Sequence, residues 1–428
     1  MDVALENAAS PYGAAMQTIL LIDPFHSGRY LMQKLQRLGF DVQVVRTKDV
    51  KSTYFCDDFL YDDDVLITTG DLQRDCDYIR NATQKRHLVH GLAGTEASLE
   101  YSDRLLSELF PAQWNDPQTT SLRFRKSAMQ NALAKHNLPA IDTVTLKHGM
   151  SNQHKKIAVS EFYRRCGGDI IVKPDASICS AGFRIPASEN EILSYMETAS
   201  HAMPLFDDME LLLQRRVRGR QYFANTVSYN GNHHLCSVGE ARKEFEGGSV
   251  KEIYKELVDL EAFDTFDIAA YIFAVLDALD VKFGLSHIEF CFDGNDCYLI
   301  ELNPRIAGLH GALNRMSAGR YTEDQIDVYR HYLTGELPVG SRHGIHRSGN
   351  QQTYRTVYLY NLNPQRYQLA ITLFGELESA YFCEKLKLSE ASDTTSLMDV
   401  SMFAILSHND PTVIERDMRE LLKLSHVH

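Results

Sequence analysis

The segment Gly284–Gly311, GLSHIEFCFDGNDCYLIELNPRIAGLHG, decides the fold. Two runs rich in Ile, Phe, Cys, Tyr and Leu flank the sequence Asp293-Gly294-Asn295, which is typical of a turn, so the segment is predicted to form a β-hairpin. Side chains alternate along a strand, so His287 and Glu289 are predicted to share one face of the first strand. The second strand presents its own polar residues at the same spacing.

The register of this hairpin determines whether Glu289 and Glu301 face each other. A three-residue connection would pair Phe292 with Asp296 and would leave the two glutamates as diagonal neighbours on one face, with Cβ atoms about 7–8 Å apart or less. A four-residue connection would place them on opposite faces. We expect the three-residue register, which brings the carboxylates to bridging distance for a metal ion.

The polar face of the hairpin has the donor atoms of a magnesium site. Glu289, Glu301 and Asn303 would supply two carboxylates and an amide oxygen, and Mg²⁺ prefers such hard ligands while keeping other positions for water and phosphates. Arg305 follows two positions later and adds a cation. The arrangement predicts a site for a polyanion, and the alternative is an amphipathic hairpin whose acidic face is solvated.

The pattern H-x-E, turn, E-x-N-P-R with glycines after it resembles the metal-binding end of the ATP-grasp ligases, and among them the carboxylate–amine ligases that join L-amino acids. The resemblance covers residues from about 18 to 335. It implies a mixed α/β ATP-grasp fold with an N-terminal Rossmann-like domain, a mobile lid, a central catalytic domain and a small C-terminal α/β cap. It also implies ATP and two Mg²⁺ ions as cofactors, with Mn²⁺ as a possible substitute.

Two lysines stand where the resemblance implies contacts with the phosphates of ATP. Lys126 opens an amphipathic segment, and Lys173 ends a β-branched strand that leads into a loop of small residues. Ser180 and Gly182 lie in that loop, which can aim backbone N–H groups at phosphate oxygens. Alone, Lys126 would be a surface lysine and Lys173 a weak signal; their order ahead of the hairpin supports the ATP-binding assignment.

The stretch Glu210–Gln221 resembles the hinge that holds the adenine and ribose of ATP. The family usually has a glutamate before the hinge and another after its glycine. This chain has Gln214 and Gln221 there, with Val217 between them. Glutamine keeps the hydrogen-bonding capacity and loses the charge, so we expect these three residues to bind ATP with altered geometry.

The resemblance also implies the groups around the reacting carboxylate. Arg305 is expected to stabilise the oxyanion of the tetrahedral intermediate, because its planar fork matches carboxylate and phosphate oxygens. Glu96, in a G-x-E turn, is a candidate for holding a substrate ammonium group, or it caps the next helix. Gly308 and His310 are expected to line the amino-acid pockets. His287 contacts substrate, orients Glu289 or is satisfied within the sheet.

Composition excludes several other classes of protein. The chain has 428 residues and a net charge of −13, which argues against a general nucleic-acid or anionic-membrane surface. Its eight cysteines are scattered without a CxxC pair, and no apolar run or leader pattern suggests a membrane span or secretion. We expect a cytoplasmic protein with reduced thiols.

The resemblance, together with breaks in composition, implies five parts of the chain. These are an N-terminal α/β domain (1–115), a linking helix region (116–143), a lid (144–213), a central catalytic subdomain (214–340) and a C-terminal cap (341–428).

The predicted function is ATP-dependent ligation of an amino-acid carboxylate, activated as an acyl phosphate, to the amine of a second L-amino acid. The partners are therefore small molecules, and a homodimer is possible. Two alternatives stay open: ATP-grasp ligation of another carboxylate and amine in cofactor or nucleotide metabolism, and a nucleotide-binding regulator without turnover. The intact lysines, carboxylates and arginine favour an enzyme.

Overall fold

The computed structural model describes residues 16–48, 64–177, 182–198, 210–246, 249–263, 266–337, 352–386 and 399–425. The first sheet is parallel, as the alternating strand and helix patterns predict, with strand order β3-β2-β1-β4. Its strands are β1 (Gln17–Ile22), β2 (Asp41–Arg46), β3 (Leu66–Ile67) and β4 (His87–Ala93). The accompanying helices are α1 (Ser27–Arg37), α2 (Leu72–Ala82) and α3 (Leu99–Leu109).

A connecting region then leads into a small antiparallel sheet. The single amphipathic helix predicted after residue 120 is two helices, because Arg125 has extended backbone angles (φ −95°, ψ 122°). They are α4 (Thr120–Phe124) and α5 (Lys126–Lys135). The small sheet has the order β5-β7-β6. Its strands are β5 (Thr143–Leu146), β6 (Ile170–Pro174) and β7 (Leu211–Arg215). The helices between them are α6 (Asn152–Arg165) and α7 (Glu189–Thr198).

The largest sheet has eight antiparallel strands in the order β12-β11-β8-β9-β10-β13-β15-β14. Its strands are β8 (Arg220–Tyr229), β9 (Asn232–Glu246), β10 (Ser249–Leu257), β11 (Gly284–Phe292), β12 (Cys297–Asn303), β13 (Thr353–Tyr360), β14 (Ala380–Lys385) and β15 (Val400–His408). Its helices are α8 (Ile268–Ala278), α9 (Ala312–Tyr321), α10 (Gln325–Leu333), α11 (Pro364–Glu376) and α12 (Pro411–Leu422). The strands of the predicted cap therefore extend the same sheet as the hairpin, because β13 pairs with β10.

Helix α8 packs beneath the hairpin, as its apolar spacing predicts. Ile272 and Leu276 are fully buried in one cluster with Ile288 and Phe290 of β11. Full burial of such a side chain contributes about 1.5–3 kcal/mol, so this layer fixes the hairpin firmly. Since side chains alternate along β11, the residue between Ile288 and Phe290, Glu289, faces the other way.

A short break separates α9 from α10. Thr322 adopts a left-handed conformation (φ 67°) that ends α9. Asp324 then starts α10 with a capping box, in which its side chain and that of Asp327 each accept a backbone N–H. Among the described residues, no helix is both long and apolar enough to cross a membrane.

Candidate active site

The hairpin carries its two glutamates directly opposite each other, but through a register that differs from the predicted one. Phe292 pairs with Cys297, so the connection has four residues and the prediction of three is wrong. The carboxylate of Asp293 stabilises this turn by accepting the amide hydrogens of Asn295 and Asp296, each at 2.9 Å.

A β-bulge reverses the effect of the longer turn. Phe290 pairs with Leu299 and Glu289 pairs with Glu301, so Ile300 is an extra residue on β12. One added residue moves everything beyond it to the other face of a strand. The two carboxylates therefore share a face, as expected, for a reason that the sequence did not reveal.

Lysines from three different elements meet these carboxylates. Lys126, the first residue of α5, places its Nζ 2.9 Å from Oε2 of Glu301 and 3.3 Å from Oγ of Ser177. Lys243 on β9 places its Nζ 3.2 Å from Oε2 of Glu289. Each of the two glutamates thus has a lysine of its own, and the pairing of Lys243 with Glu289 was not predicted.

Lys173 is the third lysine, at the end of β6. Burial, and then repulsion from Lys126, lowers its pKa to about 7, although the nearby carboxylates of Glu301 and Glu289 act in the opposite direction. An anion that binds beside Lys173 would strongly stabilise the charged form of this lysine. This environment suits a phosphate-binding lysine.

Asp175 ties the small sheet to α5 and holds Lys126 in place. Its carbonyl oxygen accepts the Lys126 amide hydrogen at 3.0 Å, and its carboxylate accepts the backbone and hydroxyl hydrogens of Ser127 at 2.8 and 3.0 Å. Sequence reasoning missed this residue. The signal was present in the run Lys173-Pro174-Asp175, a charged pair at a strand end.

A cavity of about 380 Å³ lies between the small sheet and the eight-stranded sheet. It contains most of the predicted nucleotide-binding and metal-binding side chains together with the arginine-rich hinge. The lining includes Lys126, Lys173, Phe183, Gln214, Val217, Gln221, Lys243, Phe245, Glu289 and Glu301.

The two hinge glutamines have different surroundings. Gln221 donates from Nε2 to Oε2 of Glu289 at 2.6 Å, so it contacts a metal-ligand candidate. Gln214 is fully buried and donates from Nε2 to Oγ1 of Thr143 at 2.9 Å. Gly182 lies on the described side of the small-residue loop, with φ at 74°, while Ser180 lies outside the described residues.

His287 supports Glu289 from within the sheet. Its Nδ1 lies 2.7 Å from Oδ1 of Asn225, and its Nε2 lies 3.6 Å from Oε1 of Glu289. Burial lowers the pKa of His287. For Glu289, burial acts to raise the pKa, but the positive charge of Lys243 outweighs it and holds the pKa well below its usual range. His287 thus lies beside Glu289 within the sheet, and it pairs across the strands with Asn303.

Arg305 and Glu96 form an ion pair with each other. Arg305 donates from Nε to Oε2 of Glu96 at 2.5 Å and from an Nη to Oε1 at 2.8 Å. Burial acts to raise the pKa of Glu96, but Arg305 outweighs it and lowers that pKa. The residue expected to hold an ammonium group and the residue expected to hold an oxyanion are therefore adjacent.

The loop after Arg305 is conformationally unusual. Leu309, His310 and Gly311 have consecutive positive φ angles of 59°, 50° and 78°. A Cβ on Gly311 would lie 2.4 Å from the ring of Tyr30, so only glycine fits there. Such conformations concentrate at functional sites.

The two predicted pocket residues in this loop have different neighbours. A Cβ on Gly308 would lie 3.8 Å from Arg305 Nη1, so this residue borders the arginine. The His310 ring lies 5.4 Å from that of His26, and its Nδ1 lies 3.4 Å from Oε1 of Glu384 on β14.

Comparison with known proteins shows which sequences this chain is similar to. No protein-family model matches the chain. Its sequence is 23% identical to dapdiamide A synthase of Enterobacter agglomerans over 314 residues, which is 68% of each chain. It is 26% identical to the carbamoyl phosphate synthase large chain of Clostridium acetobutylicum over 202 residues, which is 45% of this chain and 18% of that one.

Solved structures are similar over nearly the whole chain. An L-amino acid ligase from Bacillus licheniformis has a TM-score of 0.70 at 14% identity, covering 96% of this chain and 98% of that one. The chain has the ATP-grasp fold. An N5-carboxyaminoimidazole synthase from Aspergillus clavatus, solved with ADP and 5-aminoimidazole ribonucleotide, has a TM-score of 0.68 at 12% identity, covering 96% and 99%. The ATP-grasp fold is thus shared by proteins with different names, so it does not by itself select a substrate.

Proposed function

We propose that the chain is an ATP-dependent ligase that joins the carboxylate of one L-amino acid to the amine of another. One observation carries the proposal: Glu289 and Glu301 face each other on the hairpin, and Lys126, Lys173 and Lys243 line the same cavity. Cations and carboxylates placed together in this way suit a nucleotide triphosphate bound with magnesium.

The donor set fits Mg²⁺. Among the described residues, no three His, Cys, Asp or Glu side chains are grouped to hold a metal ion. The proposed site needs only Glu289, Glu301 and the Asn303 amide, because Mg²⁺ takes its other oxygens from water and substrate phosphates. These three residues would hold two ions, or Mn²⁺ in their place. The metal would neutralise the phosphate oxygens during transfer.

The proposed reaction has two steps. An oxygen of the donor carboxylate attacks the γ-phosphorus of ATP, and the bond from that phosphorus to the bridging oxygen breaks to release ADP. Lys126 and Lys173 hold the phosphate oxygens, since phosphoryl transfer depends on positioning and charge stabilisation. The product of this step is an acyl phosphate.

The amine of the second amino acid then attacks the acyl carbon. The carbon–oxygen bond to phosphate breaks, phosphate leaves, and the nitrogen loses a proton to complete the amide. Arg305 stabilises the oxyanion of the intermediate, and Glu96 holds a substrate ammonium group. A substrate with both a carboxylate and an ammonium group would replace the Arg305–Glu96 pair with two matching contacts.

The structural match to an L-amino acid ligase supports amino acids as the substrates. A second candidate is ligation of another carboxylate and amine, which the comparable TM-score of 0.68 for N5-carboxyaminoimidazole synthase favours.

The test is phosphate release from MgATP across a matrix of paired L-amino acids, with mass spectrometry of the active mixtures. The proposal predicts release that requires both members of a pair and a product lighter by one water than their sum. ATP binding without release in any mixture would reject L-amino acids as substrates.

A further inference from the structure

Behind Lys243 the strand β10 carries a second pair of buried charges. Glu252 is 3% exposed and Lys255 is 4% exposed. Glu252 lies directly across from Lys243 in the pairing of β10 with β9, with Oε2 3.7 Å from the lysine Nζ. Lys255 places its Nζ 3.2 Å from Oε1 of Glu252. The site therefore continues two side chains deeper than the cavity wall.

A second β-bulge brings this pair together. Residues three apart in a regular strand lie on opposite faces. In β10 the register shifts, because Glu252 pairs with Lys243 while Tyr254 pairs with Arg242, which leaves Ile253 as the extra residue. Glu252 and Lys255 thus share the face of Lys243. Bulges often redirect side chains beside active sites, as Ile300 does in the hairpin.

The buried carboxylate depends on lysine charges. Within the described residues, neither side-chain oxygen of Glu252 has a hydrogen-bond partner of good geometry. An isolated buried charge is strongly destabilising, so Glu252 is stable there because Lys243 and Lys255 lie on either side, with the Tyr358 hydroxyl also nearby. The order Lys255, Glu252, Lys243, Glu289 alternates in sign and has no net charge.

We propose that Glu252 and Lys255 are positioning residues that set how readily Glu289 binds a divalent cation, an inference that rests on the proposed function of Glu289 as a metal ligand. Lys243 divides its charge between Glu252 and Glu289. When Glu289 binds a cation, Glu252 keeps its ion pair with Lys243 and so prevents the lysine from competing with the metal.

The charges of Glu252 and Lys255 should change the affinity of Glu289 for the cation in opposite directions. Without the charge of Glu252, Lys243 has Glu289 as its remaining ion-pair partner, Lys255 adds its positive charge nearby, and the cation must displace Lys243. Without the charge of Lys255, Glu252 attracts Lys243 more strongly, and Glu289 is released to the metal. Removing both charges leaves Lys243 and Glu289 as a neutral pair.

The experiment measures binding of ATP at equilibrium, without amino acids, as a function of Mg²⁺ concentration in the full chain. The variants are Glu252→Gln, Lys255→Met and the double variant, each checked for folding by circular dichroism. We expect E252Q to raise the half-saturating Mg²⁺ concentration about tenfold or more, because adjacent buried unit charges interact strongly even at an effective dielectric constant of about 20. K255M should lower it, and the double variant should return close to wild type.

Lys251→Met is the matched control. Lys251 precedes Glu252 on β10, so its side chain lies on the other face, over the ring of Tyr360. K251M removes the same charge from the same strand and should leave the Mg²⁺ requirement unchanged. If E252Q does not fold, the step from K255M to the double variant isolates the Glu252 charge and should raise the requirement.

Opposite shifts in E252Q and K255M support the inference, because damage to the fold would weaken binding in both. Shifts in one direction, or none, overturn it. A wild-type chain that binds no ATP with Mg²⁺ overturns the proposed function and this inference with it. Wild-type binding with unchanged variants overturns the inference alone.

Discussion

Two arginine–carboxylate pairs in this molecule have the same chemistry and different surroundings. Arg123 and Asp103 have side chains 0% and 1% exposed, and their closest atoms lie 2.8 Å apart. Arg305 and Glu96 are 17% and 10% exposed and are joined by two hydrogen bonds. The first pair lies in a dry interior, and the second lies beside the proposed substrates.

The partners of each pair show what the difference means. Asp103 also accepts hydrogen bonds from Trp114 Nε1 at 3.0 Å and Thr120 Oγ1 at 2.7 Å, so its carboxylate is fully engaged in the fold. Arg305 donates to Glu96 and also to the carbonyl oxygen of Ile306 at 2.9 Å, and the pair keeps some exposure to water. Under the proposed function, a substrate with matching charges exchanges with this pair, whereas the Arg123–Asp103 pair serves the fold.

The largest effect is expected when the buried Arg123–Asp103 pair is broken. Arg123→Met leaves Asp103 buried without its cation, so we expect the free energy of unfolding to fall by about 3–5 kcal/mol. Denaturant titration measures the loss. The double variant R123M/D103N should recover part of it, because no unpaired charge is left. A variant as stable as the wild type would show that the pair contributes nothing.

The corresponding change at the site acts on catalysis. Arg305→Met should lower kcat/KM about 10²–10³-fold, which is the usual loss when one oxyanion donor is removed. Its unfolding free energy should fall less than that of R123M, because the side chain of Glu96 is 10% exposed to water and that of Asp103 only 1%. Steady-state kinetics and denaturant titration on the two variants give the contrast. If R305M kept full activity and lost more unfolding free energy than R123M, the functional assignment of Arg305 would be contradicted.

The dry region also predicts a pH dependence of stability. His90 is fully buried among aromatic rings, including that of Trp114 at 5.8 Å, and burial lowers its pKa to about 4 from an ordinary value of 6.5. Between these values the unfolded chain binds more protons than the folded one. The histidine therefore weakens the fold as the pH falls from about 6.5 towards 4.

The size of this effect is about 3 kcal/mol, from 1.36 kcal/mol for each unit of pKa. Other acids titrate in the same range, so the measurement compares the wild type with His90→Gln. The difference between their unfolding free energies should be constant above pH 7 and should narrow on acidification. A difference that does not change with pH would show that His90 titrates normally.

The smallest effect is expected at an exposed pair. Arg165 and Asp142 form two hydrogen bonds of 3.0 and 3.1 Å, but their side chains are 54% and 42% exposed. Because water and salt screen exposed pairs, Asp142→Asn should change the unfolding free energy by less than about 1 kcal/mol. A loss comparable to that of R123M would mean that geometry outweighs burial.

Much of the fold could be predicted from the sequence because it rests on periodic patterns. The parallel first sheet, the hairpin and the apolar α8 all follow from such patterns. The register of the hairpin could not be predicted, since the effects of a four-residue turn and of the bulge at Ile300 cancel on the face of Glu289 and Glu301. A bulge has no reliable local signal in a strand of ordinary residues.

The candidate site was predictable to the level of residue types, and its pairings were not. Lys126, Lys173 and the two glutamates are recognisable from motifs in order, and the structure brings them to one cavity. The pairing of Arg305 with Glu96 joins positions 209 residues apart. Glu252 and Lys255 have no motif of their own, and only the second bulge places them behind Lys243.

The proposed acyl phosphate can be tested most directly by following one oxygen atom. The donor amino acid is labelled with ¹⁸O in its carboxylate and incubated with MgATP and the second amino acid, and the released phosphate is analysed by mass spectrometry. The account predicts one ¹⁸O in the phosphate and none in the nucleotide, because the attacking oxygen stays with the γ-phosphorus. Label in AMP, or phosphate released without label, would contradict it.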